Sequence, residues 1–301
     1  MFDIIIVGGG PAGLVAALYA CRANKKVLII EKGSFGGQIT FSPKVENIPG
    51  FAAVTGNEFA EKLVEQVLAQ DAEVECAEVL EIKDGDIKTV VTDSGEFTAK
   101  SVIIATGAKH RLLRLENEEN LIGEGISFCA VCDGAFYENK TVAVIGGGNS
   151  ALQEAILLSE LAKKVYVVQN LEVLTGEKKL SDKLSKKANV EIILSSTVEK
   201  ILGDTELEGI EIKNSVSGKV ETLKLDGMFV AIGLVPQNEI FKDLVKLDER
   251  GYIIADEFCK TSADGIFVAG DCRTKTIRQV ITAAGDGAVA ALAACDYADS
   301  K

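Results

Sequence analysis

Histidine occurs once in the 301 residues, as His110, and of seven cysteines only Cys129 and Cys132 stand close together. A structural zinc site takes four nitrogen or sulfur ligands at suitable spacing, so none is expected here. Long apolar runs are missing as well, which argues against a membrane span. Asp3 leads into a strand-like run where a secretory leader would carry a basic segment, so the chain reads as cytoplasmic. Positive charge is scarce: 32 Lys and Arg face 45 Asp and Glu, a formal net charge of −13. Nucleic acid and anionic membrane surfaces are therefore poor partners. The other cysteines, Cys21, Cys76, Cys259, Cys272 and Cys295, lie mostly in apolar or helical contexts and read as small buried hydrophobes in a reducing compartment.

What the chain does have is glycine in two telling places. Gly8-Gly9-Gly10-Pro11-Ala12-Gly13 follows the strand-like run 3–7 and opens a helix-like run at Ala12. Gly146-Gly147-Gly148-Asn149-Ser150-Ala151 follows 141–145 in the same way. This is the context in which a glycine-rich turn cradles the pyrophosphate of a dinucleotide. Three spaced glycines alone mean little, since on the order of 0.1 chance matches are expected per chain at ordinary glycine usage. The surroundings give the motif its weight. Residues 3–32 and 141–170 align without a gap, with Gly8 on Gly146, Gly13 on Ala151 and Glu31 on Gln169. Each unit then runs through short alternating strands to an apolar strand ending in glycine, at 102–107 and 228–233.

The chain at 47% apolar residues can bury two cores. The expected fold class is α/β, two Rossmann-like dinucleotide-binding domains with three-layer ββα architecture, the second inserted into the first. The first would comprise 1–112 and 243–301, the second 113–242. Completion of the first by the C-terminus follows from the strand at 265–269, which ends in Gly270-Asp271, and from the alanine-rich helix expected over 278–297. An acid at the carboxyl edge of such a sheet can accept hydrogen bonds from cofactor hydroxyls. A further helix over 58–70 carries Phe59, Leu63, Val64 and Val67 on one face, free at this point to meet either the sheet or a second subunit.

Between the two units lies Cys129-Ala130-Val131-Cys132-Asp133, a dithiol beside an acid. Together with the first glycine turn, Gly36-Gly37-Gln38, Glu46 to Gly50, Ala105-Thr106-Gly107, the second glycine turn, Gly270-Asp271 and Arg278-Gln279-Val280, it closely resembles the low-molecular-weight thioredoxin reductase family over nearly the whole chain. The resemblance implies FAD as cofactor, thioredoxin as partner and a homodimer. It implies that the turn of Gly8, Gly10, Pro11, Ala12 and Gly13 binds the cofactor, with the backbone from Gly10 to Ala12 and the following helix terminus on the FAD pyrophosphate, and that Glu31 takes the adenosine ribose. Gly37, Gln38, Asn47 and Ala105-Thr106-Gly107 would lie near the cofactor, Asp271 on its ribityl chain, and Arg278, Gln279 and Val280 where the last helix begins. Cys132 would face the flavin, Cys129 would attack the partner's disulfide, and Asp133 would move the proton. A purely structural disulfide is disfavoured, because so short a loop restrains the unfolded chain little. The chain is expected to carry no second redox pair beyond its last helix. The inserted domain is expected to rotate about connections near 112–116 and 238–242.

One stretch departs from the family pattern. Members that use NADPH carry His-Arg-Arg-x-x-x-Arg at the end of the second unit's second strand, where guanidinium groups grip the 2′-phosphate. Here the stretch reads Gln169-Asn170-Leu171-Glu172-Val173-Leu174-Thr175, so all three arginines are replaced. At about 1.5–3 kcal/mol for each charge-assisted hydrogen bond, their loss weakens NADPH binding by orders of magnitude. The chain thereby resembles the ferredoxin-dependent subgroup, with ferredoxin as electron donor. Basic candidates for meeting an acidic ferredoxin are Lys178, Lys179, Lys183, Lys186 and Lys187, or Lys109 with Arg111 and Arg114. Three alternatives stay open: an NAD(P)H-dependent thioredoxin reductase, a flavin-dependent dithiol oxidase, and a non-catalytic flavin-bound sensor.

Overall fold

The computed structural model describes residues 1–42 and 44–301. It divides into two compact units, Met1–Lys44 with Ile48–Lys109 and Val235–Lys301, and Val45–Asn47 with His110–Leu234.

In chain order the first unit begins with β1 (Phe2–Val7), α1 (Pro11–Arg22), β2 (Val27–Glu31), α2 (Gly56–Leu68), β3 (Glu73–Cys76), β4 (Val79–Lys83), β5 (Lys88–Thr92), β6 (Glu96–Ile104) and β7 (Ala108–His110). The second holds β8 (Ile126–Ser127), α3 (Ala130–Asp133), β9 (Thr141–Ile145), α4 (Asn149–Leu161), β10 (Lys164–Val168), α5 (Lys178–Leu184), β11 (Val190–Ile193), β12 (Ser196–Leu202), β13 (Gly209–Asn214), β14 (Val220–Lys224) and β15 (Gly227–Val230). The chain closes with β16 (Leu234–Pro236), β17 (Ile266–Val268) and α6 (Val280–Asp299).

The first unit's sheet runs β3-β2-β1-β6-β5-β4, with β17 also paired to β6. β1, β2, β3, β6 and β17 are parallel, whereas β4 and β5 are antiparallel. Strand β1 shows why it reads as an unbroken apolar run. Ile4 and Ile6 enter the core beneath the helices, while Ile5 and Val7 enter the core on the opposite face, so both sides of the strand are buried. Each such isoleucine removed from water contributes about 1.5–3 kcal/mol.

Helix α2 starts at a capping box, in which Thr55 Oγ1 accepts from Glu58 N and Glu58 Oε2 accepts from Thr55 N. Its Phe59, Ala60 and Val67 are buried, and Leu63 and Val64 pack on the same core as Ile4 and Ile29. The apolar face of the 58–70 segment thus meets its own sheet. Helix α6 is long and apolar enough by length and composition to cross a bilayer. Its buried stripe is small, with Ala283, Gly287, Ala290, Ala291 and Ala294, and a Cβ at Gly287 would strike the Ala12 carbonyl oxygen. Close backbone packing on α1 accounts for its composition.

The second unit carries a five-stranded parallel sheet, β11-β10-β9-β15-β8, and a separate antiparallel sheet, β12-β13-β14. Val142 and Val144 face the α4 side, whereas Ala143 and Ile145 face the side covered by β12–β14.

By contacts the units divide after Lys109 and before Val235. Asn238, 1% exposed, donates to the carbonyls of Gly251 at 2.9 Å and Cys272 at 2.8 Å, and Phe241 enters the first unit's core. The buried Glu118 carboxylate accepts from Leu113 N at 2.8 Å and Arg114 N at 2.7 Å, bracing that loop within the second unit. Each of these anchors lies within its own unit. The connecting strands β7 and β16 pair with each other.

Candidate functional site

In the first unit the glycine turn sits between β1 and α1. Gly8 adopts φ +113°, and a Cβ there would press on the Ala105 carbonyl, while a Cβ at Gly13 would overlap the Gly8 carbonyl oxygen. Gly10 caps α1 without a side-chain hydrogen bond, Pro11 opens the helix, and buried Ala12 follows. The first helical amides are left for an anion. Glu31, at the end of β2, accepts from Gly9 N at 2.7 Å and Gly33 N at 2.8 Å. Its carboxylate therefore holds the turn in place and keeps acceptor capacity for a ligand hydroxyl.

Other segments converge on the same turn. A Cβ built on Gly37 would lie 3.4 Å from Gly10 Cα, and one on Gly270 would lie 2.8 Å from Ala12 Cβ. Half-buried Gln38 follows Gly37 in a 3-10 turn, Gly37–Phe41. Thr106 and Gly107 follow Ala105 at the end of β6, with Gly107 at φ +67° and Thr106 Oγ1 3.4 Å from Asn238 Oδ1. Gln279 caps α6, and its N–H donates to Thr282 Oγ1 at 3.1 Å, with Val280 the first helical residue. Asn47 lies in segment Val45–Asn47, which groups with the second unit.

Asp271 is the most informative polar group of this cluster. Its Oδ1 is buried and has no hydrogen-bond partner among the described residues. Burial raises its proton affinity, opposed by the charges of Lys275 and Arg278. Arg278 lies with its guanidinium 4.3 Å from the centre of the Tyr252 ring, and its Nε is likewise buried without a partner. Sequence reading missed Asp286, which accepts from Gly270 N at 3.1 Å, Arg273 at 3.0 Å and Lys275 at 2.8 Å and so fixes the turn before Asp271. A glycine cradle with free helix amides, an orphaned buried carboxylate oxygen and a carboxylate at the end of β2 together fit a dinucleotide flavin.

In the second unit Cys129 and Cys132 form a disulfide, with Cα atoms 5.3 Å apart. Cys129 is the N-cap of α3, and Cys132 N donates to Cys129 Sγ at 3.2 Å. Both cysteines are half-buried, and Val131 between them is 62% exposed. Ser127, two residues ahead, escaped the sequence reading. Its hydroxyl donates to Asp133 Oδ2 at 2.5 Å and accepts from Cys129 N at 3.1 Å, joining acid and dithiol. Asp133 Oδ1 is buried without a partner among the described residues. Burial raises the proton affinity of Asp133, partly offset by the Ser127 hydrogen bond. An acid whose proton affinity is raised beside a disulfide can supply a proton to a leaving thiolate. His110, in the same unit, stacks on Phe128 with ring centres 4.5 Å apart, and burial lowers its pKa to about 4. It is thus neutral and takes no part as a cation.

The second glycine turn is built like the first, with Gly146 at φ +130° against the Ala231 carbonyl and Gly148 capping α4. The neighbouring loop differs from a phosphate clamp. Gln169 is 5% exposed, and its Nε2 donates to Val173 O at 3.4 Å. Leu171 and Val173 present apolar side chains to solvent, 47% and 63% exposed, and Asn170 and Thr175 are exposed beside them.

With both halves built, a glycine cradle in one unit and a dithiol in the other, the comparisons with known proteins decide the family. The pyridine nucleotide-disulphide oxidoreductase family matches residues 2–287. The chain belongs to that family, in its low-molecular-weight thioredoxin reductase branch. A thioredoxin reductase of Listeria monocytogenes is 42% identical over 301 residues, spanning 99% of this chain and 94% of the relative. The 34.2 kDa protein in the rubredoxin operon of Clostridium pasteurianum is 41% identical over 302 residues, spanning 99% of this chain and 98% of the relative. A thioredoxin reductase structure from Streptococcus pyogenes superposes with a TM-score of 0.95 at 42% identity, covering 100% of this chain and 99% of that one. Thioredoxin reductases of this family are FAD-binding flavoproteins, and FAD is the cofactor of this chain.

Proposed function

We propose that this protein is a cytoplasmic, homodimeric FAD-dependent reductase of thioredoxin whose electrons come from ferredoxin in place of NADPH. The dithiol with its attached acid, Cys129-Cys132-Ser127-Asp133, supports the acceptor side. Bound FAD supplies the two electrons that open the disulfide. In the first unit Gly8, Gly10, Pro11, Ala12 and Gly13 hold the pyrophosphate, Glu31 the ribose, and Asp271 a ribityl hydroxyl through its orphaned oxygen. Gly37, Gln38, Asn47, Ala105, Thr106, Gly107, Gly270, Arg278, Gln279 and Val280 complete the cofactor site. Cys129 attacks the thioredoxin disulfide, Cys132 resolves the mixed disulfide, and Asp133 supplies the proton that the leaving sulfur needs.

One observation carries the donor assignment. Where a 2′-phosphate needs guanidinium groups, this chain offers Asn170, Leu171 and Thr175, and exposed Val173 and Leu171 form an apolar lip that gives a phosphate no partner. A ferredoxin needs a basic landing surface instead. Lys178, Lys179, Lys183 and Lys186 are exposed on and just after α5, while Lys187 is engaged with Glu160.

Anaerobic titration of the oxidised protein tests the donor. Reduced ferredoxin is expected to bleach the flavin band stoichiometrically, and NADH and NADPH to leave it unchanged. Bleaching by either nucleotide at micromolar concentration would return the protein to the pyridine-nucleotide reductases.

A further inference from the structure

Beyond Asp133, the dithiol unit holds a second acid that the reaction just described does not use. Glu154 lies on α4 one turn ahead of Leu158 and three residues after Ala151, both fully buried, so helical spacing turns it inward. Helix α3 packs on α4. At their contact Gly134 lies against α4, since a Cβ there would be in ordinary van der Waals contact with Leu158 at 3.5 Å and Leu161 at 3.4 Å. Asp133 directly precedes Gly134, and Glu154 is one helical turn from Leu158. Two carboxyl groups are thereby brought to one packed seam. Each presents a buried oxygen, Asp133 Oδ1 and Glu154 Oε2, that has no hydrogen-bond partner among the described residues.

Burial and then the charge of Asp133 raise the pKa of Glu154 to about 8. The charged and titratable groups on the elements around α4 are Cys132 and Asp133 of α3, Tyr137 of the 3-10 turn Gly134–Tyr137, Lys178, Lys179, Asp182 and Lys183 of α5, and Lys164 and Tyr166 of β10, while β9 contributes none. Tyr137 is itself raised to about 12 by burial and by Asp133 and Glu124, so it stays neutral. Asp133 is the one charged group that acts on Glu154.

We infer that Glu154 is a positioning residue for the second proton of the reaction, refilling Asp133 between the two sulfur exchanges. The inference rests on the thiol–disulfide exchange proposed above. Reduction of a protein disulfide expels two thiolates in succession, and a single carboxyl group can supply only one proton. The Cys129 thiolate attacks one sulfur of the partner disulfide, forming the mixed disulfide and breaking the partner's S–S bond. The expelled partner thiolate takes the proton of the Asp133 carboxyl group. Glu154 then passes its proton to Asp133. The Cys132 thiolate attacks Cys129 Sγ, closing the Cys129–Cys132 disulfide and expelling the second partner thiolate, which takes that proton. The dithiolate has lost two electrons, the partner has gained two electrons and two protons, and two carboxylates replace two carboxylic acids. Charge is conserved at every step.

The test compares the holoprotein with its Glu154→Gln variant, an isosteric change that keeps a neutral polar group on α4. The prereduced proteins are mixed with oxidised thioredoxin across pH 6 to 9, and the two exchange phases are resolved. The expected result is a wild-type second phase that slows above about pH 8 and, in Glu154→Gln, a phase about tenfold slower at pH 7 without that limb. The first phase stays within about twofold. Equal second phases with equal pH profiles would overturn the inference while leaving the thioredoxin assignment intact. Infrared difference spectra of the wild-type holoprotein supply a readout that needs no partner. A protonated-carboxyl band that titrates near pH 8 and vanishes in Glu154→Gln supports the inference, and its absence from the wild type overturns it. Loss of thioredoxin turnover in both proteins would sink the functional reading, with the infrared band then deciding Glu154 by itself.

Discussion

Ser127 Oγ lies 2.5 Å from Asp133 Oδ2 and accepts from Cys129 N, so a single hydroxyl links the acid to the cysteine at the head of α3. It donates to the charged form of Asp133 and thereby holds down a proton affinity that burial pushes up. Replacing Ser127 by Ala removes that donor and leaves Asp133 harder to ionise. Because Asp133 is the proton donor, the alkaline limb of the pH profile of kcat/KM is expected to move to higher pH, and loss of the hydroxyl that links Asp133 to the head of α3 is expected to lower turnover about tenfold. Ser127→Thr should restore both. An unchanged profile in Ser127→Ala would show that the hydroxyl has no part in proton movement.

Asp271 makes the corresponding prediction for the cofactor. Its buried, unpartnered Oδ1 is expected to bond a ribityl hydroxyl, and its loss in Asp271→Ala should weaken FAD binding by about 10- to 100-fold. Flavin absorbance per protein after dialysis reads this directly. The Cys129–Cys132 disulfide, in the other unit, should be unaffected.

Proton linkage gives a prediction for stability. Glu154, Asp133 and Asp271 all have raised pKa values in the folded state. From the ordinary carboxyl range up to about pH 8 for Glu154, the folded protein holds more protons than the unfolded chain. Buried His110, its pKa lowered to about 4, has the opposite sign and offsets the acids up to the ordinary histidine range. Above that range stability falls as pH rises and levels off beyond about pH 8. The urea midpoint of the wild type should decline from about pH 7 to about pH 8, and Glu154→Gln should flatten that decline. A wild-type midpoint that rises between about pH 7 and about pH 8 would contradict the burial of Glu154.

The donor assignment predicts a gain of function. Placing arginine at Asn170, Leu171 and Thr175 together supplies the missing guanidinium groups at exposed positions. NADPH affinity should then increase by about 100-fold or more, with little change for NADH. Flavin bleaching titrations with the two nucleotides measure the ratio. Equal response to both would mean that the loop does not read the phosphate.

Most of the architecture was legible because it is local. Each glycine turn lies within a strand-turn-helix, and the CxxC-Asp motif fits within five consecutive residues, so spacing alone located the cradle and the dithiol. The missed groups depend on chain segments meeting in space. Ser127 reaches Asp133 because β8 leads directly into α3, and Asp286 reaches Gly270 from a different element. Glu154 did leave a trace in the sequence, since a charged residue stood at inward helical spacing between Ala151 and Leu158. Asn238 likewise binds carbonyls of Gly251 and Cys272, contacts that periodicity cannot reveal.

The central claim concerns the path of electrons, and one measurement addresses it directly. Anaerobic reduction of thioredoxin is followed side by side with reduced ferredoxin, NADH and NADPH, for the wild type and for Cys129→Ser/Cys132→Ser. Rapid turnover with ferredoxin alone, abolished in the double variant, is the predicted result. Turnover with NADPH at a comparable rate, or a double variant that still reduces thioredoxin, would contradict it.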